Sequence, residues 1–183
     1  RLGKDAAYML DSTKLRDTLG WKDKISLDQG LDECIAWVKS NFEELKRIHD
    51  IAPALIVSLA PDVEGANEVI RKGAEIGITS SAAHTSATAA QILEAKKAGL
   101  KHLTHFCNAM TPVHHREIGV VGAGLVDDFL KLELICDTIH LCPDMLKLIF
   151  KLVPIERLMM ITDSMAASWI GEGEVTLGGL AVL

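Results

Sequence analysis

Gly77-Ile78-Thr79-Ser80-Ser81-Ala82-Ala83-His84 and, 22 residues on by their glycines, Gly99-Leu100-Lys101-His102-Leu103-Thr104-His105 share one layout. A glycine suited to end a helix opens each stretch, a short strand-like run follows, and a histidine stands at the strand's end. Outward from this pair, His140 follows the apolar run Leu132–Cys136, and Asp163 follows Leu158–Thr162. The intervals between the four ionisable residues are 21, 35 and 23, each about right for a strand, a loop, a helix and a second loop. Parallel strands joined by helices all end on the same side. Chemistry in such folds collects at the carboxyl ends of the strands, so His84, His105, His140 and Asp163 are expected to converge.

The rest of the chain extends the same pattern. Residues 1–24 are polar and aperiodic and read as a loop-rich leading segment. Ser26 and Gln29 resemble a capping box, and Leu31, Ile35, Val38, Phe42, Leu45 and Ile48 then recur at helical spacing until Pro53. Residues 54–60 form a nearly continuous apolar run between Pro53 and Pro61, as expected of a strand buried on both faces. A helical pattern over 62–76 stops at Gly77; a second, capped by Ser86 or Thr88, runs through Ala98 to Gly99. Phe106–Gly124, rich in His, Pro and Gly, reads as a long active-site loop. Pro143 suits the first turn of a helix through about Lys151, and the last residues read as a hairpin.

Five parallel βα units could form an open sheet or part of a closed ring. Polar residues at the ends of four consecutive strands favour the ring, because an open sheet binds at one switch point. A complete (β/α)8 barrel typically needs about 250 residues, and this chain has 183. The expected fold is therefore α/β, a single domain over 1–183 that forms part of a TIM-type barrel, about strands 4 to 8.

Composition narrows the ligand. A net charge of -6 with 19 scattered Lys and Arg residues argues against general nucleic-acid affinity, so a small molecule is expected. Cys34, Cys107, Cys136 and Cys142 form no CxxC pair, and no apolar segment approaches the roughly 18 to 20 residues of a membrane span. A reduced cytoplasm fits best. Both ends read as cut: the first residue is Arg1, and the chain stops inside the expected hairpin.

His84 and His105, neutral imidazoles at neighbouring strand ends, suit zinc or another borderline divalent metal; a lone histidine there is otherwise a satisfied structural residue. Asp163 is placed to take a proton from a nucleophilic water and return it to a leaving amine, with a helix N-cap as the competing role. His140 is positioned to hydrogen-bond the substrate or a developing oxyanion, with Asp137 as a possible support. Arg116, in the long loop, suits a phosphate through its planar fork or else is a solvated surface arginine. His102, one residue out of phase with His105, is expected to face the helical layer. His49, His114 and His115 are assigned no role.

The strings Ala83-His84-Thr85-Ser86-Ala87, Leu103-Thr104-His105-Phe106-Cys107-Asn108-Ala109-Met110, Arg116-Glu117-Ile118-Gly119, Asp137-Thr138-Ile139-His140 and Ile161-Thr162-Asp163 resemble the ordered motifs of N-acetylglucosamine-6-phosphate deacetylases, in the amidohydrolase superfamily. Leu59-Ala60-Pro61-Asp62 is similar to the motif of the preceding strand. The resemblance covers about residues 54–180. It implies a (β/α)8 barrel with a divalent metal bound by His84 and His105, zinc being the first choice and iron, manganese or cobalt the alternatives. It further implies that Asp163 works on the nucleophilic water, that His140 contacts the sugar or the reacting amide, and that Asn108 and Ala109 help hold the phosphate. Arg116 would reach the phosphate of a neighbouring subunit, which implies a homodimer, and the products would be glucosamine 6-phosphate and acetate.

Several positions depart from that pattern. The family's first metal ligand, a glutamate in a His-x-Glu-Gly-Pro string, is expected just upstream of residue 1. Ala7 falls where a substrate-binding His is common, Thr138 replaces the usual Gly before His140, and Ile118 replaces a common Pro. Two rival readings remain: a noncatalytic or inactive barrel that binds a sugar phosphate, and another amidohydrolase such as a cyclic amidase or a deaminase.

Overall fold

A computed structural model of the chain describes residues 42–164, 168, 175–177 and 180–182. Helix α1 (Phe42–Ile51) leads into β1 (Ile56–Leu59), α2 (Ala66–Glu75), β2 (Thr79–Ala82), α3 (Ala89–Ala98) and β3 (Leu100–Leu103). Then come α4 (Gly119–Val126), β4 (Lys131–Ile135), α5 (Pro143–Leu152), a short 3-10 turn (Ile155–Arg157) and β5 (Leu158–Ile161). Strands β6 (Val175–Leu177) and β7 (Leu180–Val182) pair antiparallel, as the expected terminal hairpin requires.

Strands β1 to β5 are all parallel and lie side by side in chain order, β1-β2-β3-β4-β5, with no reversal. Right-handed crossovers between strands in such an order put every connecting helix on one face of the sheet. The buried residues show that face. Leu103, Leu132 and Leu134 of the strands pack with Ile70 of α2, Ile92 of α3, Val120 of α4 and Ile149 of α5 in one apolar cluster. Each such side chain contributes about 1.5–3 kcal/mol of hydrophobic stabilisation when fully buried.

Local chemistry sets the helix ends. Thr88, of the two candidate caps, accepts from the backbone N–H of Gln91, and the Gln91 side chain accepts in return from the Thr88 N–H, a complete capping box. Gly77 (φ 87) and Gly99 (φ 120) close α2 and α3 in backbone conformations that side chains disfavour. Pro143 sits at the start of α5.

Three sequence expectations are corrected. The 54–60 run forms β1, but it is not buried on both faces: Ile56 and Ser58 are exposed and Val57 and Leu59 half-buried, since β1 lies at the edge of the described sheet. Gly119–Gly124, read as loop, begins helix α4; its residues Val120, Val121 and Ala123 are buried together, and a helix apolar all round carries no amphipathic period to detect. Gly124 lets it pack against β3, since a Cβ there would lie 2.5 Å from the Phe106 ring. His102 does not face the helices. Its Nδ1 lies 3.0 Å from Oε1 of Glu133, whose neighbours Leu132 and Leu134 fill the helix-facing core, so the pair occupies the opposite face. The phase slips because Ser80 pairs with Leu100 but Ser81 with His102, leaving Lys101 as an extra residue. The part of the expected 26–48 helix before Phe42, and residues 1–24, lie outside the described residues.

Candidate active site

The face opposite the helices carries a set of hydrogen-bonded polar side chains. The Thr104 hydroxyl lies 3.0 Å from that of Ser58 and 2.6 Å from that of Ser81, linking β1, β2 and the end of β3. At the carboxyl ends of these strands opens a cleft of about 450 Å³ lined by Ser58, Leu59, Ala60, Ala83, His84, Thr104, His105 and Asp163. Three of the four residues expected to converge do so here. His140, Asn108, Ala109 and Arg116 are not among its lining residues.

The backbone at this rim is unusual. Among the described residues, the non-glycine positions with positive φ are His84 (43°), His105 (35°), Cys107 (78°), Ala109 (49°), Thr138 (66°) and Asp163 (52°). Every one lies in a loop that follows a strand. His and Asp tolerate this left-handed region better than most residues, yet such positions cost energy and persist only where the surroundings fix them. The left-handed step lets the first residues beyond β2, β3 and β5 turn into one cleft.

The surroundings do fix the β2 and β3 ends. The Ala83 N–H donates to the Leu59 carbonyl and the Thr104 N–H to that of Ala82. Thr85, buried, donates its N–H to the Ala109 carbonyl and its hydroxyl to a carboxylate oxygen of Asp62, while that hydroxyl accepts from the Ala87 N–H. Asn108 donates its side-chain amide to the His105 carbonyl, 3.1 Å away, and its own N–H to the same oxygen. Asp62 and Thr85 stand in the strings after β1 and β2, but nothing in the sequence shows that they touch.

The β4 end is built locally. Asp137 accepts the N–H groups of Ile139 and His140 and lies 2.6 Å from the His140 ring nitrogen. The His140 N–H and ring, followed by the Ile139 N–H, hold the Asp137 carboxyl down at about 2. Asp137 therefore supports His140, as the sequence allowed, although both are exposed.

Arg116 stands on a tight turn in which His114 and Glu117 exchange backbone hydrogen bonds of 3.0 and 3.1 Å. The turn is anchored: Glu117 accepts the N–H groups of Ala89 and Gly119, which keep its carboxyl below the usual range. Thr111 donates to the Ala87 carbonyl and accepts from the Val120 N–H. Arg116 is exposed, and its guanidinium has no hydrogen-bond or ion-pair partner among the described residues. Burial, with Cys142 nearby, pushes the Cys107 thiol up to about 12, which disfavours a thiolate there at neutral pH.

The donor set in the cleft suits a divalent cation. The His84 and His105 rings are stacked with centroids 4.7 Å apart, and Nδ1 of the buried His105 has no hydrogen-bond partner among the described residues. A buried ring nitrogen without a partner is costly unless something coordinates it or bonds to it. Two imidazoles make an incomplete cage, and among the described residues no group of three His, Cys, Asp or Glu is close enough to complete one. No described helix is long and apolar enough to cross a membrane.

Comparison with known proteins places these features. No family model matches the chain. It is 41% identical over 149 residues to N-acetylglucosamine-6-phosphate deacetylase of Bacillus subtilis (strain 168), covering 80% of this chain and 38% of that protein. It is 41% identical over 124 residues to N-acetylgalactosamine-6-phosphate deacetylase of Escherichia coli O157:H7, covering 68% of this chain and 33% of that protein. A crystallised mutant of the Mycobacterium smegmatis N-acetyl-D-glucosamine-6-phosphate deacetylase, in complex with N-acetyl-D-glucosamine-6-phosphate, superposes with a TM-score of 0.69. It is 34% identical, over 76% of this chain and 37% of that one. The chain is thus homologous, in sequence and in fold, to the N-acetylglucosamine-6-phosphate deacetylases, and its matches span 31% to 38% of the length of the curated relatives.

Proposed function

We propose that these residues form most of the active rim of a cytoplasmic, metal-dependent deacetylase that hydrolyses the N-acetyl group of N-acetylglucosamine 6-phosphate. The carrying observation is that His84, His105 and Asp163, distant in sequence, line one cleft at the strand ends. On this reading β1 to β5 are about strands 4 to 8 of a (β/α)8 barrel, and the whole chain is part of that one domain.

His84 and His105 hold the cation, zinc in the first instance, with iron, manganese or cobalt also suited to such ligands. When bound, the ion supplies Lewis acidity that polarises the amide carbonyl and lowers the pKa of a coordinated water. Asp163 accepts a proton from the attacking water and returns it to the departing amine. His140, held by Asp137, donates to the sugar or the amide oxygen. Asn108 and Ala109, between His105 and the Arg116 turn, contact the phosphate. Arg116, held out on an anchored turn and without a guanidinium partner among the described residues, reaches the phosphate bound by a second subunit in a homodimer.

The test is acetate release by the full-length protein from N-acetylglucosamine 6-phosphate, with and without chelator. A protein that binds divalent metal yet releases no acetate refutes the proposal. Its 41% identity to an N-acetylgalactosamine-6-phosphate deacetylase supports a second reading, in which the 4-epimer is preferred. The ratio of kcat/KM on the two sugar phosphates separates them.

A further inference from the structure

We infer that Asp62 and Thr85 form a positioning pair that sets the backbone of His84. The inference deepens the deacetylase reading, because it explains what holds one of the residues that reading assigns to the cation. His84 has φ 43, a conformation it does not favour, and its ring is exposed, so neither local preference nor burial keeps it in place. Its neighbours do so. Ala83 is tied to Leu59 of β1, and Thr85, 3% exposed, is tied at both its N–H and its hydroxyl. The N–H bonds the Ala109 carbonyl beyond β3, and the hydroxyl donates to Asp62 beyond β1. One residue thereby fastens three successive strand ends, with His84 between two immobilised peptides.

The chemistry of the pair is specific. An ionised carboxylate accepting from a hydroxyl is stronger than a neutral hydrogen bond. The β-branched Thr85 has few χ1 choices, so its hydroxyl stays aimed at Asp62 and the Ala87 N–H. Val at this position would keep the shape and lose both bonds, whereas Ser would keep the hydroxyl.

The full-length protein tests this with cobalt(II) as the probe, read by its visible absorption, alongside acetate release and crystal structures of the variants. Asp62→Asn and Thr85→Val are each expected to weaken cobalt binding by about ten- to a hundredfold, the usual effect of removing a partner that orients a ligand. They should lower kcat while KM for the sugar phosphate changes by less than about threefold, because both substitutions leave in place the Thr85 N–H that bonds the Ala109 carbonyl beside the proposed phosphate contacts. Thr85→Ser should restore most of both, and the double variant should be no worse than either single one. In the Thr85→Val crystal structure the His84 ring should move by more than about 1 Å, beyond the tolerance of a working site. Unchanged cobalt affinity together with an unmoved ring overturns the inference. A wild-type protein that binds cobalt but releases no acetate refutes the deacetylase reading alone, and affinity and ring position still decide this one. If the wild type binds no cobalt, ring position alone decides.

Discussion

The two halves of the rim are built differently. At the β2 and β3 ends, His84 and His105 are held by bonds that cross between strands: Thr85 to Asp62 and Ala109, Ala83 to Leu59, Thr104 to Ala82. At the β4 end, His140 is held by Asp137, three residues away and exposed like itself. The first half is fixed by tertiary structure before any ligand arrives. The second is a self-contained, exposed loop held by its own short-range bonds. That division matches what each half is proposed to do, since a cation site needs ligands preset within fractions of an ångström, while a substrate contact can adjust on binding.

Substitutions can break this division. The largest effect is expected from Asp163→Asn, which keeps the shape and removes the base: kcat should fall by about 10²–10⁴ with cobalt affinity nearly unchanged, by steady-state kinetics and metal titration. Next, His105→Ala should weaken cobalt binding by more than about a hundredfold, a larger loss than any supporting residue gives. If His140→Ala did the same, the division would be wrong. Arg116→Ala should raise KM for the phosphorylated sugar about ten- to a hundredfold, the worth of a charged hydrogen bond, and leave KM for the unphosphorylated sugar unchanged.

Smaller effects sharpen the β4 side. Asp137→Asn should lower kcat by about tenfold. The wild-type support should survive mild acid: the folded carboxyl lies at about 2, below the usual 3.8, so its stabilisation is complete above 3.8 and lost only as pH falls through about 2. An NMR titration of the Asp137 carboxyl checks this directly. Thr138→Gly should raise stability by about 1 kcal/mol in urea unfolding, because Thr138 sits at φ 66, where a β-branched residue is strained.

That last position shows how far the sequence could be read. Apolar runs and helix-ending glycines marked all five strands of the sheet to within two residues at each end, because the βα period repeats and each signal is local. The convergence of His84, His105 and Asp163 followed from topology. What stayed hidden was what depends on through-space partners or on phase. Helix α4 has no polar face, and His102 changed sides through one extra residue in β3. The left-handed steps at the strand ends have no signature in His or Asp, and only the absence of the usual Gly at Thr138 hinted at one. The Asp62–Thr85 bond joins residues 23 apart whose types are ordinary in loops.

The left-handed backbone at His84, His105 and Asp163 also constrains how such a chain can evolve. A residue there must satisfy the chemistry and tolerate a conformation that disfavours most side chains, and few beyond Asn, Asp, His and Gly do. Exchanging Asp163 for Glu, the usual conservative step, would alter the reach of the carboxylate and strain the backbone together. Change of specificity therefore has more room in the exposed, locally closed β4 loop and the Arg116 turn, where drift leaves the proposed cation site standing.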